Sequence, residues 1–221
     1  MPPPRLAPLI LAALSHGRSA AAGHLGCTAI AMDGAASADG AAYAGMNADS
    51  ANADFRLAYV PAEERKDRTR AVYTYNLTYP RFVGYGRGAF YHPWRPDAPR
   101  SEPVGRIPEV ARTYGYYEAT QPLMNERGLG LGESSCSAML VNRFPGDEAD
   151  SRDVPVGLLD TVTMMQLSME RCDSARCAVE LMGALAEEFG FVPTPGESTV
   201  GRVRGRIAWD DGGEAFTLAD A

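Results

Sequence analysis

Apolar and polar residues alternate with a period of two in several short stretches of the chain, a pattern typical of half-buried strands. Thr28 to Met32 and Ala41 to Met46 are two such stretches, separated by a segment that contains the turn sequences Asp33-Gly34 and Asp39-Gly40. We expect them to form a hairpin. The other strand candidates are Phe55 to Val60, Arg70 to Tyr75, Gly128 to Gly132, Ser137 to Val141, Arg206 to Trp209 and Glu214 to Leu218.

Two stretches have helical spacing instead. Val156 to Arg171 repeats apolar residues at helical intervals, and we expect its methionines to lie in the core. Asp173 or Ser174 can cap a second helix that ends at Gly190. Helices joined by so short a turn should lie antiparallel on the sheet. The pattern therefore predicts an α+β fold.

The chain opens with a segment typical of a signal peptide. Its apolar run, Leu6 to Leu14, is too short to span a bilayer, and Ala20 and Ala22 supply a small-residue cleavage pattern. We expect residues 1–22 to be removed, leaving a secreted protein without a membrane segment. Two alternatives stay open: a disordered start, and a lipoprotein cut before Cys27, for which His24 stands where an aliphatic residue is preferred.

Composition narrows the classes of partner. The 221 residues are 45% hydrophobic and 22% charged, as expected for one globular domain after the leader. The net charge of −7 argues against a nucleic-acid partner, because phosphate binding needs clustered Lys and Arg. The segment Arg87 to Arg106 is rich in Pro and Arg, and we expect a long surface excursion there.

The cysteines and histidines exclude several kinds of site. The four cysteines show no Cys-x-x-Cys or paired Cys/His spacing, so no metal or cofactor site is predicted. A bridge between Cys172 and Cys177 is conceivable from their spacing but is not established by it. His92 alone lies beyond the first 26 residues, and its setting predicts a solvated loop. A cysteine nucleophile would therefore need a base other than histidine.

Cys27 gains such a base if it becomes the first residue of the mature chain. A free α-amine has a pKa near ~8, so it can accept the thiol proton and later return it to a leaving amine. The predicted hairpin brings Asn47 and Asp49 back towards Cys27. The Asp49 carboxylate would then be placed to hold the amine.

Short motifs along the chain support this chemistry. They are Cys27-Thr28, Ala36-Ser37-Ala38-Asp39-Gly40, Asn47-Ala48-Asp49-Ser50, Gly105-Arg106-Ile107-Pro108, Thr113-Tyr114, Met124-Asn125-Glu126-Arg127-Gly128-Leu129, Glu133-Ser134, Glu170-Arg171-Cys172-Asp173-Ser174-Ala175-Arg176, Gly213-Glu214-Ala215-Phe216 and Ala219-Asp220. In this order they resemble the N-terminal half of the dipeptidase A and secernin family of cysteine peptidases. Those enzymes are N-terminal-nucleophile hydrolases, distantly related to penicillin V acylase and bile salt hydrolase.

The resemblance implies a fold and a site. It implies a four-layer αββα sandwich over residues 27–221, incomplete at its C-terminus, so that either homo-oligomerisation or a missing C-terminal half would complete it. It implies Cys27 as nucleophile, Asp49 as the residue that positions its amine, and Asn125 as a donor to the tetrahedral oxyanion. The implied substrate is a dipeptide or short peptide, cleaved without a cofactor or metal.

Two features depart from the family pattern. Met46 occupies the position of an arginine that lies beside the nucleophile in related enzymes, and nothing in the sequence shows whether Arg56 replaces it. Cleavage after Ala22 also leaves residues 23–26 in front of Cys27, which we expect to be a short propeptide removed autocatalytically.

Three functions therefore stay open: a cysteine dipeptidase, an acylase-like amidase acting on small acyl amides, and an inactive secreted binding or scaffold domain. The ordinary structural alternatives are a buried core cysteine at Cys27, a solvated loop carboxylate at Asp49 and a turn residue at Asn125.

Overall fold

The structure is a computed structural model that describes residues 27–49, 53–73, 103–136, 156–192 and 213–220. These residues form thirteen strands and two helices. In chain order they are β1 Thr28–Met32, β2 Tyr43–Asn47, β3 Ala58–Val60, β4 Glu63–Glu64, β5 Thr69–Tyr73, β6 Pro103–Pro108, β7 Arg112–Thr113, β8 Tyr116–Glu118, β9 Pro122–Asn125, β10 Gly130–Cys136, β11 Leu159–Asp160, α1 Thr161–Arg171, α2 Ala175–Phe189, β12 Phe191–Val192 and β13 Gly213–Ala219.

The predicted N-terminal hairpin is confirmed. β1 and β2 pair antiparallel in a register that runs from Thr28 opposite Asn47 to Met32 opposite Tyr43. The Asp33 side chain accepts a hydrogen bond from the backbone N–H of Ala35 at 2.5 Å, as expected for an aspartate that begins a turn. The second strand begins and ends slightly later than the sequence predicted, so that Asn47 belongs to it.

A five-stranded sheet in the order β13-β10-β9-β8-β3 forms the centre of the described residues, and its strands pair antiparallel. Side chains alternate between its two faces. Leu131 and Glu133 of β10 are buried on one face, whereas Gly132 and Ser134 lie on the face towards the hairpin. The hairpin lies over β10 and β13, so the described residues form a hairpin layer, a sheet layer and a helical layer.

The first helix begins later than predicted. Val156 to Arg171 has a helical pattern, but Leu159 and Asp160 form β11, which pairs parallel with β12. The Asp160 side chain accepts a hydrogen bond from the backbone N–H of Thr163 at 2.8 Å, which caps α1. A strand pairing and a cap therefore replace the first helical turn of the prediction.

The second helix follows the prediction closely. Ser174 caps α2 by accepting a hydrogen bond from the backbone N–H of Cys177 at 3.4 Å, and Gly190 ends it with φ of 72°. Cys172 and Cys177 form a disulfide that links the end of α1 to the first turn of α2. The bridge that the spacing left open is thus present.

The helices and the sheet enclose the core, and the prediction that the methionines of α1 lie there is confirmed. Its buried hydrophobic residues include Tyr116, Ile107, Leu129, Leu131, Leu159, Met164, Met165, Leu167, Met169, Cys172 and Met182. On the hairpin side of the sheet, by contrast, Tyr59, Tyr117 and Met124 are neighbours across three strands and stay about half exposed.

Several strand predictions were wrong in their limits. Only residues 58–60 of the predicted Phe55 to Val60 strand pair with another strand, and the predicted Gly128 to Gly132 strand begins at Gly130 and continues to Cys136. Gly128 instead has φ of 82° in the turn between β9 and β10. Residues 103–106 of the predicted surface excursion belong to β6, which pairs with β5.

Several further predictions lie outside the described residues. They are the leader, the four residues before Cys27, His92, and the strand candidates Ser137 to Val141 and Arg206 to Trp209.

Candidate functional site

Cys27 lies immediately before β1, at the end of the hairpin where Asn47 finishes β2. Its thiol is free and its side chain is half-buried. Its backbone carbonyl accepts a hydrogen bond from the Ser134 hydroxyl at 2.9 Å, across the space between the hairpin and the five-stranded sheet. This contact fixes the start of the hairpin above β10.

Asn47 and Asp49 lie beside this strand start, as the sequence predicted. The Asn47 side chain accepts a hydrogen bond from the backbone N–H of Thr28 at 2.6 Å and donates one to the Asp49 carboxylate at 2.8 Å. The backbone N–H of Asp49 also lies close enough to the Cys27 sulfur to lower the pKa of its thiol. The structure therefore brings Cys27 and Asp49 together, with Asn47 holding both strand ends in place.

The environment keeps Cys27 in its thiol form. Burial raises the pKa of the Cys27 thiol above its usual value, and the nearby carboxylates of Glu133, Asp49 and Glu214 raise it further. The hydrogen bond from the Asp49 backbone opposes this by favouring the thiolate. A thiol of this kind needs a base to become a nucleophile.

Met46 takes part in packing rather than in electrostatics. Its side chain is partly buried against the core, and its sulfur accepts a hydrogen bond from the backbone N–H of Glu133 at 3.3 Å. Arg56 forms a paired interaction with Asp54, with nitrogen–oxygen distances of 2.7 and 2.5 Å. Asp54 is buried, so this pairing holds the guanidinium at the start of β3.

Asn125 serves a structural purpose that the sequence did not reveal. Its side-chain N–H groups donate to the carbonyls of Met169 and Cys172 at 2.9 and 2.8 Å. Its side-chain oxygen accepts from the backbone N–H groups of Arg127 and Leu129 at 3.0 and 3.1 Å. Both donors are used, so none remains for an oxyanion.

The position of Asn125 leads to the same correction. Asn125 lies at the end of β9, next to Gly130 of β10. Gly130 is four residues from Ser134, the residue that contacts Cys27, which is about 13 Å along the strand. The structure does not bring Asn125 to Cys27, and we do not assign it a role in the reaction.

A buried carboxylate pair lies on the opposite face of the sheet from Cys27, on the adjacent strands β10 and β13. Glu133 is buried and accepts a hydrogen bond from the Gln121 amide at 2.5 Å. Burial, together with the hydrogen bond and charge of Glu133, raises the pKa of Glu214 to about 9. Glu214 therefore holds a proton at neutral pH.

The sequence contained a signal for this pair that its interpretation missed. Glu133 and Glu214 each occupy an inward position of an alternating strand, where an apolar residue is usual. Finding the pair, however, requires the register that places Glu133 opposite Phe216 and Ser135 opposite Glu214. That register is a property of the folded sheet.

Other features of the described residues lie apart from Cys27. An open pocket of about 570 Å³ is lined by Arg112, Tyr114, Glu126 and Arg127, and neither Cys27 nor Asp49 contributes to it. Within the described ranges, no group of three or more His, Cys, Asp or Glu side chains is arranged to hold a metal ion. The helices of that part of the chain are also too short or too polar to cross a membrane.

A scan against protein-family models, a search of the curated proteins and a search of the solved structures each find no match to this chain. The candidate function therefore depends on the residues and the geometry given above.

Proposed function

We propose that the chain is a cysteine hydrolase of the N-terminal-nucleophile type that cleaves dipeptides or short peptides. The observation that carries the proposal is the position of Cys27 at the start of the first strand, half-buried and beside Asp49, which follows the second strand at the same end of the hairpin. A free amine at Cys27 would arise next to the thiol and within the same hydrogen-bonded group. The proposed domain is 27–221, built as an αββα sandwich.

The proposed reaction uses the α-amine as base. The neutral amine takes the thiol proton, and the sulfur bonds to the peptide carbonyl carbon. The resulting ammonium gives its proton to the leaving amine as the carbon–nitrogen bond breaks. Water then hydrolyses the thioester and regenerates Cys27. The raised pKa of the thiol makes such a base necessary, because the thiol holds its proton at neutral pH.

Asp49 has a positioning role in this proposal. Its carboxylate is held by the Asn47 amide, so it is available to attract the ammonium that forms at Cys27. The backbone N–H of Asp49 stabilises the thiolate. Cys27 is thus the catalytic residue, while Asn47 and Asp49 orient it.

The amine must be released before any turnover. We propose that a signal peptide, residues 1–22, directs the chain out of the cytoplasm and that residues 23–26 are then removed autocatalytically. Intact mass and N-terminal sequencing of the secreted protein test this step. Wild type should begin at Cys27, whereas Cys27→Ala should keep the preceding residues. Retention of those residues in both proteins would contradict the proposal.

Hydrolysis is tested on the processed protein with a panel of dipeptides and small acyl amides. The readout is the free amine that cleavage releases. We expect dipeptide cleavage that is lost in Cys27→Ala and kept in Cys136→Ala, a matched change at the other free cysteine. Cleavage of acyl amides alone would indicate the acylase-like alternative, which uses the same nucleophile.

A second candidate is a catalytically inactive secreted binding or scaffold domain. It is favoured by the charges around the thiol, because the carboxylates of Glu133 and Asp49 oppose its ionisation and Met46 stands in the position of the arginine. A protein whose residues before Cys27 are stably retained, and whose Cys27 resists alkylation, would support this candidate over the hydrolase.

A further inference from the structure

Two cysteines of the described residues carry free thiols, one at the start of the hairpin and one at the end of the strand over which the hairpin lies. Cys27 begins the hairpin and is half-buried, while Cys136 ends β10 and is exposed. Cys136 lies two residues beyond Ser134, so the two side chains project from the same face of β10, roughly 7 Å apart along the strand. That face is the one on which the hairpin lies.

The direction of the hairpin carries Cys27 towards Cys136. The carbonyl oxygen of Gly45 lies above Gly132, and Gly45 is the partner of Ile30 in the hairpin. The Cys27 carbonyl lies above Ser134. Moving from Ile30 to Cys27 therefore follows β10 from Gly132 to Ser134, in the direction of its end at Cys136.

The hairpin and β10 are in backbone contact further along the same strand. A Cβ atom on Gly132 would lie only 2.8 Å from the carbonyl oxygen of Gly45, so no side chain at that position could separate the hairpin from β10. The β13 residue opposite Cys136 is Gly213, which has no side chain to stand between the thiols. Close backbones and a small neighbour are what a disulfide across two sheets requires.

We propose that Cys27 and Cys136 form a reversible disulfide across the two facing sheets. A low-molecular-weight disulfide such as oxidised glutathione is the oxidant. The Cys136 thiolate attacks it, forming a mixed disulfide and releasing one glutathione thiolate. The Cys27 thiolate then attacks the Cys136 sulfur, and the second glutathione leaves as its thiolate. Two protein thiols become one disulfide, and one oxidised glutathione becomes two reduced molecules.

The consequence for function is that oxidation removes the proposed nucleophile. This regulatory meaning rests on the proposed function, whereas the cross-link itself does not. Cys136 is the exposed partner, so it is the residue that meets the oxidant first. A reducing thiol attacks the same exposed sulfur and restores Cys27.

The full chain is incubated with mixtures of reduced and oxidised glutathione, alkylated, and mapped by mass spectrometry without reduction. We expect a cross-linked peptide that joins Cys27 to Cys136, a mass lower by two hydrogens, and loss of Cys27 alkylation. In the Cys136→Ser variant, Cys27 should either remain open to alkylation or carry glutathione. Free or separately glutathionylated thiols in wild type, without the cross-linked peptide, would overturn the inference.

A matched control moves the thiol by one residue. The double variant Ser135→Cys with Cys136→Ser keeps a cysteine at the end of β10 but turns it to the opposite face of the sheet. We expect no cross-link with Cys27, and equal cross-linking would refute the facing geometry as its cause. Circular dichroism of each variant confirms that it is folded.

Dipeptide hydrolysis, measured on the same samples, separates the two proposals. Cross-linking without hydrolysis in any sample leaves this inference standing and rejects the hydrolase. Hydrolysis without cross-linking rejects this inference alone.

Discussion

The buried pair Glu133–Glu214 should make the stability of the protein fall as the pH rises. Glu214 has an ordinary pKa of 4.5 when unfolded and a pKa of about 9 when folded. Between these values the folded state holds a proton that the unfolded state has lost. The stabilising contribution is therefore complete below about pH 4.5 and is lost progressively as the pH approaches about 9.

The magnitude follows from the linkage. One bound proton corresponds to a slope of about −1.4 kcal/mol in the free energy of unfolding per pH unit. Between pH 5.5 and 7.5 the free energy of unfolding should thus fall by about 3 kcal/mol. This is an upper estimate, because partial solvation of the pair reduces the effect. Glu214→Gln keeps the shape and a hydrogen-bond donor to Glu133 but cannot ionise. The variant should be the more stable protein at pH 7.5, and the two should converge at low pH.

Equilibrium urea unfolding of the full chain, followed by circular dichroism at several pH values, measures this difference. Glu187→Gln changes an exposed glutamate of α2 and should follow wild type throughout. Parallel stability curves for wild type and Glu214→Gln would refute the reasoning, as would a variant that is less stable at pH 7.5.

Three further substitutions test contacts that fix the fold and the site. Asn125→Ala removes four hydrogen bonds and leaves their buried partners unpaired. It should lower the free energy of unfolding, measured by urea titration, by about 3 kcal/mol. A change below about 1 kcal/mol would contradict this structural role. Ser134→Ala removes the hydrogen bond to the Cys27 carbonyl and should lower the free energy of unfolding by about 1 kcal/mol. It should also increase the rate at which iodoacetamide alkylates Cys27. An unchanged rate would show that this contact does not hold Cys27 in place. Asp160→Ala removes the α1 cap and should lower stability by about 1 kcal/mol, whereas Asp160→Asn should recover most of it if capping is the cause.

Local signals in the sequence were sufficient for the elements with local causes. Alternation and turn residues predicted the hairpin, since its strands are close in sequence and its register is set between them. The cap at Ser174 and the end at Gly190 were likewise predictable, because a helix terminus is satisfied by its own neighbours. The same locality explains why Asp49 was expected near Cys27.

Elements that depend on distant partners were not predictable. Helix α1 starts at Thr161 because Leu159 and Asp160 pair with β12, more than thirty residues away in sequence. Asn125 looked like a turn residue or an oxyanion donor, yet the carbonyls that occupy its amide belong to Met169 and to Cys172 at the end of α1. Periodicity contains no information about which distant carbonyl needs a donor.

The sequence by itself therefore determined the position of Cys27 at the start of a strand, the hairpin that follows it, and the ends of the second helix. Only the tertiary structure decided what surrounds Cys27: the Ser134 hydroxyl on its carbonyl, and the burial and the Glu133 carboxylate that oppose its ionisation. Burial and electrostatics depend on how the hairpin lies on the sheet, and that stacking requires the close approach of Gly45 to Gly132. Residues far apart in the chain create that environment together, so no single stretch of sequence specifies it.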